Sequence, residues 1–142
     1  MNELINIDFS HVEKMTKEDQ INLYLKLAII ANNTDNLKAE IFALEKLTSI
    51  DLDNLDLKVT LAQKLTKQAF GIVTPKARDL VKNVLIKDPE NLDALYLAGL
   101  AAKQNGRFDL SKKIWEQVIK YNPQYKKIDL IKNELQQINK LN

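Results

Sequence analysis

The chain predicts an all-α protein, a right-handed α-α superhelix of three helical hairpins closed by a C-terminal capping helix. Three observations lead there. Apolar residues recur at helical spacing almost everywhere, and no stretch alternates apolar and polar residues long enough for a strand. The connections are short, which makes neighbouring helices pack antiparallel. A turn phrase also recurs, as DLDNLD at 51–56, DPENLD at 88–93 and NPQYKK from 122. Asp51 to Asp88 is 37 residues and Asp88 to Asn122 is 34.

The elements follow in order. Thr16 can cap the first helix through its hydroxyl, with Asp19 completing a capping-box-like pair. Leu23, Leu27, Ile30 and Ala31 form its apolar stripe, and NNTDN at 32–36 breaks it with turn-formers. A second helix runs from about Asn36 to Ser49 with Ala39, Ala43 and Leu47 on one face. Asp53 or Asn54 caps the third, which carries Leu57, Leu61, Leu65 and Ala69 and stops at Gly71. Thr74 followed by Pro75 opens the fourth, where the missing N–H of proline costs little. Ala77, Leu80, Val81, Val84 and Leu85 point inward from it. Asn91 caps the fifth, LDALYLAGLAAKQ, which ends at NGR. The sixth starts near Asp109 and ends before Pro123. The seventh places Ile128, Ile131, Leu135 and Ile138 along one face.

This divides the chain into an N-terminal lead-in of residues 1–15, expected to be flexible, three repeats at about 16–52, 53–90 and 91–125, and a capping helix at 126–142. Each recurring turn ends one hairpin, and the first two open the next. A regular turn sets each hairpin at the same angle to the last and joins the apolar stripes into one core.

The unit length and its pattern resemble the tetratricopeptide repeat. In the last unit Leu95, Ala98, Gly99 and Ala102 match the first-helix spacing, Ser111 and Trp115 the second, and Pro123 closes it. Gly99 and Ala102 let two helices approach, and Trp115 fills the gap. In the middle unit Ala62 replaces the glycine, Ala77 and Val81 stand for the second helix, and FGIVT lengthens the internal loop. The first unit is placed on Leu23, Leu27, Ala39 and Ala43. An irregular helical bundle is the competing fold.

Composition excludes several classes of function. Without cysteine there is no disulfide or thiolate chemistry. The net charge of +2 gives no general case for nucleic acid or membrane binding. Residues 35–56 are acid-rich and residues 112–142 lysine-rich, which ordinarily marks solvated helix faces. No secretory leader is expected at the N-terminus, and LYLKLAIIA is too short to span a bilayer and contains Lys26. His11 is the single histidine, so no zinc or haem site and no other cofactor is expected. Asp51/Asp53 and Asp88/Glu90 read as helix caps and dipole partners rather than an acid–base pair. With no nucleophile or phosphate-loop motif, the chain is not expected to be an enzyme.

What remains is a surface. First helices line the inner groove of such stacks, and residues one step off the packing stripe are the expected peptide contacts. These are Tyr24 and Ala28, then Val59, Gln63 and Lys67, then Tyr96, Leu100, Lys103 and Gln104. Two readings of Tyr24 and Tyr96 stand: exposed groove contacts, or half-buried packing residues.

Residues 74–123 bear a narrower resemblance. TP-x-A opening a helix, DP-x-N-x2-AL-x3-G-x-AA at 88–102, and the tryptophan in KKIWEQVI are similar to the C-terminal repeats of cytochrome c biogenesis tetratricopeptide proteins, including the apocytochrome-holding subunit of the haem lyase system. NLDLKVTLAQKLTKQAFG fits the preceding helix and insertion. Ser111 departs from the family, which usually has a small apolar residue there, and no membrane anchor is expected ahead of the domain. The resemblance implies a periplasmic receptor that grips the C-terminal helix of apocytochrome c, with haem chemistry left to partner subunits. A generic scaffold for another complex, including a cytoplasmic one, and a self-associating structural protein are the alternatives.

Overall fold

The computed structural model describes residues 9–141. Among the described residues the fold consists of one 3-10 turn, Val12–Lys14, and seven α-helices with no strand. The helices are α1 (Lys17–Asn33), α2 (Leu37–Ile50), α3 (Leu55–Gln68), α4 (Pro75–Lys87), α5 (Leu92–Gln104), α6 (Phe108–Tyr121) and α7 (Ile128–Leu141).

The helices start where the side chains can satisfy free backbone N–H groups. Thr16 accepts from the Asp19 amide at 3.1 Å, Asn36 from Ala39 at 3.1 Å and Asn54 from Leu57 at 3.1 Å. Thr74 accepts from Ala77 at 3.2 Å and Asn91 from Ala94 at 3.0 Å. Helix α6 starts without a side-chain cap, at Arg107.

The first helix of each hairpin ends in the same way. The amides of Asn36, Gly71 and Arg107 reach back to the carbonyls of Ala31, Thr66 and Ala102. The residue just before each donor is left-handed: Asp35 (φ 53°), Phe70 (φ 55°) and Gly106 (φ 75°). This is the Schellman stop, which glycine fills most easily.

Consecutive helices pack on one another, as in an all-α tetratricopeptide-like superhelix. Contacts α1–α3 (Asn32–Lys64), α3–α5 and α5–α7 (Lys103–Glu134) set the odd-numbered helices side by side. The ion pair Lys76–Glu45 joins α4 to α2. One buried cluster runs through the first two hairpins into α5. A second, around Trp115, Val118, Tyr125, Ile128, Ile131 and Ile138, lies between the last hairpin and α7.

Two expectations change in detail. The stripe of α1 is Tyr24, Leu27 and Ala31, with Leu23 and Ile30 only partly buried. In α2 Ala43 and Leu47 are buried as expected and Ala39 only partly so; Ile41 is buried too, and a further buried series is Glu40, Leu44 and Leu47. It matches Ala77, Val81 and Val84 in α4 and Ser111, Trp115 and Val118 in α6. Glu40 fits because Lys64 pairs with it at 3.3 Å. Within the lead-in Val12 is buried and the Gln20 side-chain amide donates to the carbonyls of Val12 and Met15, while Phe9, Ser10, His11, Glu13 and Lys14 are exposed. Residues 1–8 of the expected flexible lead-in lie outside the described residues.

Candidate functional site

The candidate surface is the layer formed by α1, α3 and α5, with α7 against its end. The expected contact residues fall on it in three different states.

Two are core. Tyr24 is 5% exposed, its ring stacked near Phe9 at 6.1 Å and edge-on to Phe42 at 6.2 Å. Val59 is also 5% exposed and lies in the first cluster. Neither offers a side chain to a ligand. The cause is the register of α1: with Glu40 aligned on Ser111, 71 residues on, Tyr24 matches Leu95 and not Tyr96. Ala28 is partly buried against the same cluster.

Three are engaged within the chain. Tyr96 stacks on Trp115 at 6.2 Å, and the Lys127 ammonium lies 4.5 Å from its ring centroid on the approach to α7. Lys103 pairs with Glu134 and comes within 3.4 Å of Gln137. Gln104 accepts from the Val73 amide at 2.9 Å and donates to the Gly71 carbonyl at 2.7 Å. It therefore clips the long α3–α4 loop to the end of α5.

Gln63, Lys67 and Leu100 remain available, Lys67 exposed and the other two half-buried. The structure adds two residues to them. Leu25 and Ile29, 37% and 60% exposed, lie one turn apart on α1. Adding the same 71 residues makes them the equivalents of Tyr96 and Leu100. The Leu44-x2-Leu47 spacing, matching Val81-x2-Val84 and Trp115-x2-Val118, carried this register in the sequence. A glutamate at the first buried position obscured it.

The end of the layer is rigidly built. A Cβ on Gly99 would lie 2.2 Å from Trp115 Nε1, so only glycine admits the indole. That nitrogen donates to the Tyr96 carbonyl at 3.1 Å, and Ser111 Oγ donates to the Gly99 carbonyl at 2.7 Å. The hydroxyl at this unusual position is thus satisfied without water. Tyr125 donates to Asp93 at 2.5 Å. Burial, then that bond and the Asp93 charge, push the Tyr125 phenol well above its ordinary range. Burial, and then Glu134, raise Tyr96. Burial lowers Lys127, with Asp93 opposing the effect.

Among the described residues no group of three histidine, cysteine or carboxylate side chains could hold a metal ion. Nor is any helix among them long and apolar enough to cross a membrane. The surface can bind by shape, apolar contact and a few charges.

A family model for the tetratricopeptide repeat matches residues 92–125, the third hairpin with its closing turn. No curated protein matches the chain. The matched repeat, set in a stack of like hairpins, supports a tetratricopeptide protein that works as a protein–protein interaction scaffold.

Proposed function

We propose that this protein is a non-catalytic scaffold that holds a helical or extended peptide segment of a partner across α1, α3 and α5. The observation that carries this reading is the pair Leu25 and Ile29. They are exposed aliphatic side chains on the first helix of the layer, followed by Gln63 and Lys67 on α3 and Leu100 on α5. An amphipathic helix lays its apolar face on such a row and sets its polar edge against the flanking groups.

The ligand we put forward is the C-terminal helix of apocytochrome c, held for haem attachment by haem lyase subunits. It rests on the resemblance of residues 74–123 and carries a periplasmic location with it. A scaffold for another complex, including a cytoplasmic one, uses the same surface. Self-association is the second reading, favoured by Leu25, Ile29 and Phe42 all lying exposed on the first hairpin.

Calorimetric titration with C-terminal helix peptides of c-type cytochromes from the same genome tests the ligand. A scrambled peptide of equal charge is the control. We expect saturable binding that the scrambled peptide lacks and that Ile29→Asp with Lys67→Glu weakens by about tenfold or more, the scale of losing a hot-spot contact. Binding untouched by these changes would remove the layer assignment. A folded sample with no affinity for any cytochrome peptide would remove the ligand and leave the scaffold. Sedimentation of the Ile29→Asp variant beside the parent separates self-association.

A further inference from the structure

A second groove lies on another part of the molecule, in the seam between the middle and last hairpins. It is bounded by α4 and α6, floored by α5, and has a volume of about 440 Å³. Leu85, Leu110 and Ile114 line it, and Arg78, Lys82 and Arg107 surround them.

The repeat supplies an internal control for this groove. Between the first two hairpins the seam is bridged by Glu45 of α2 and Lys76 of α4. Glu40 to Ala77 is 37 residues and Ala77 to Ser111 is 34. One hairpin later, the equivalents of Glu45 and Lys76 are therefore Lys82 and Leu110. An ion pair in one seam becomes a cation and a 37% exposed leucine in the next. Both line the groove.

The charge is also selective. The sequence contains two arginines, Arg78 and Arg107, and both fall here. Among the described residues neither they nor Lys82 take part in an ion pair. Asp79 is the single acid on the lining, so three cations outnumber one carboxylate around an apolar floor. Arginine presents a planar fork that matches a carboxylate with two hydrogen bonds.

We propose that this seam is a second docking site, separate from the α1–α3–α5 layer, for a short acidic peptide segment of a partner protein. The peptide sets one or two large apolar side chains against Leu85, Leu110 and Ile114. Its flanking carboxylates meet Arg78, Lys82 and Arg107. The apolar floor favours this occupant over a nucleic acid, whose phosphates would leave Leu110 and Ile114 uncovered.

The test is selection of a phage-displayed library of random dodecapeptides on the intact chain. The best synthetic peptide is then titrated into the parent and into Arg78→Glu/Arg107→Glu. Both arginines are exposed, so the double variant keeps the parental melting temperature; Arg78→Gln/Arg107→Gln replaces it if it does not. We expect selected peptides that combine Asp or Glu with Leu, Ile or an aromatic residue. Charge reversal weakens them by about tenfold or more, as loss of charge-assisted pairs does. Leu110→Ser weakens them too, while Ile29→Asp/Lys67→Glu leaves them unchanged. Selected peptides without acids, equal binding to the charge-reversed variant, or displacement by a short RNA but not by free acidic peptide would each overturn the proposal. Sensitivity to Ile29→Asp/Lys67→Glu would assign the peptides to the α1–α3–α5 layer instead and overturn it equally.

Discussion

Gly99 and Trp115 fit closely against one another, and each can be tested separately. Trp115 is fully buried, so Trp115→Ala leaves a cavity and costs about 3–5 kcal/mol. Gly99→Ala drives a methyl group into the indole and costs about 1–3 kcal/mol or more, because backbone and ring must both move. Thermal unfolding checks both, and a near-parental melting temperature for either would contradict the packing. The tyrosines give a pH test. Tyr96 and Tyr125 are raised in the folded chain from 10.0, so they stay protonated while unfolded phenols ionise. The unfolded state then binds fewer protons, and stability falls as pH rises past about 10. Lys127 is lowered and acts in the opposite sense in the same region. Tyr125→Phe isolates one contribution: the alkaline loss of stability becomes shallower. Ultraviolet titration is expected to place the ionisation of Tyr96 and Tyr125 above that of free phenols.

Single elements can be tested in the same way. The α3–α4 loop holds Phe70 in a left-handed conformation with its side chain 96% exposed. The ring contributes little packing, and a non-glycine residue in this region is disfavoured by about 1–2 kcal/mol. Phe70→Gly is therefore expected to raise stability by about 1 kcal/mol, after the entropy of the added glycine is set against the gain. Calorimetry decides it; no gain would mean that the ring holds the loop. Helix α7 is structural: Ile128, Ile131 and Ile138 bury against the last hairpin, and Glu134 holds Lys103. Removing residues 126–142 uncovers this cluster. We expect a lower melting temperature and faster amide exchange in α5 and α6 than in α1 and α2. Uniform exchange would contradict a local cap. Because Tyr96 and Lys103 are tied to the last hairpin and α7, changing both is expected to lower stability as well as any binding. That makes them poor probes of a groove.

Across the whole molecule, the repeat exposes different chemistry at equivalent places. The layer of first helices starts with Leu25 and Ile29 and ends under α7, while the outer seam changes from an ion pair to an open groove. The two binding readings therefore make independent predictions. Ile29→Asp/Lys67→Glu acts on one face and Arg78→Glu/Arg107→Glu on another. Substitutions on different faces with no shared partners are expected to act additively.

Helix number, order and caps were legible in the sequence, because they depend on local chemistry. A threonine or asparagine side chain meets an amide three residues on, proline opens a helix, and apolar spacing follows the helical turn. The turn phrases gave the stacked hairpins for the same reason. The candidate site was legible only in part. Gln63, Lys67 and Leu100 keep accessible side chains, whereas Tyr24 and Val59 are core, and the exposure of Leu25 and Ile29 was not anticipated. A helix pattern fixes which residues share a face, but the neighbouring helices decide how deeply that face is covered. Glu40 illustrates the difference. Read alone, a glutamate marks the solvent side; Lys64 from the next hairpin makes it a buried residue and moves the first unit's register by one. The open seam likewise required Lys82 and Leu110 to be brought across from one another by hairpin stacking. Local sequence determined the helices and their repeat, and tertiary packing decided which side chains remained free to bind, because burial and ion pairing depend on residues distant in the chain.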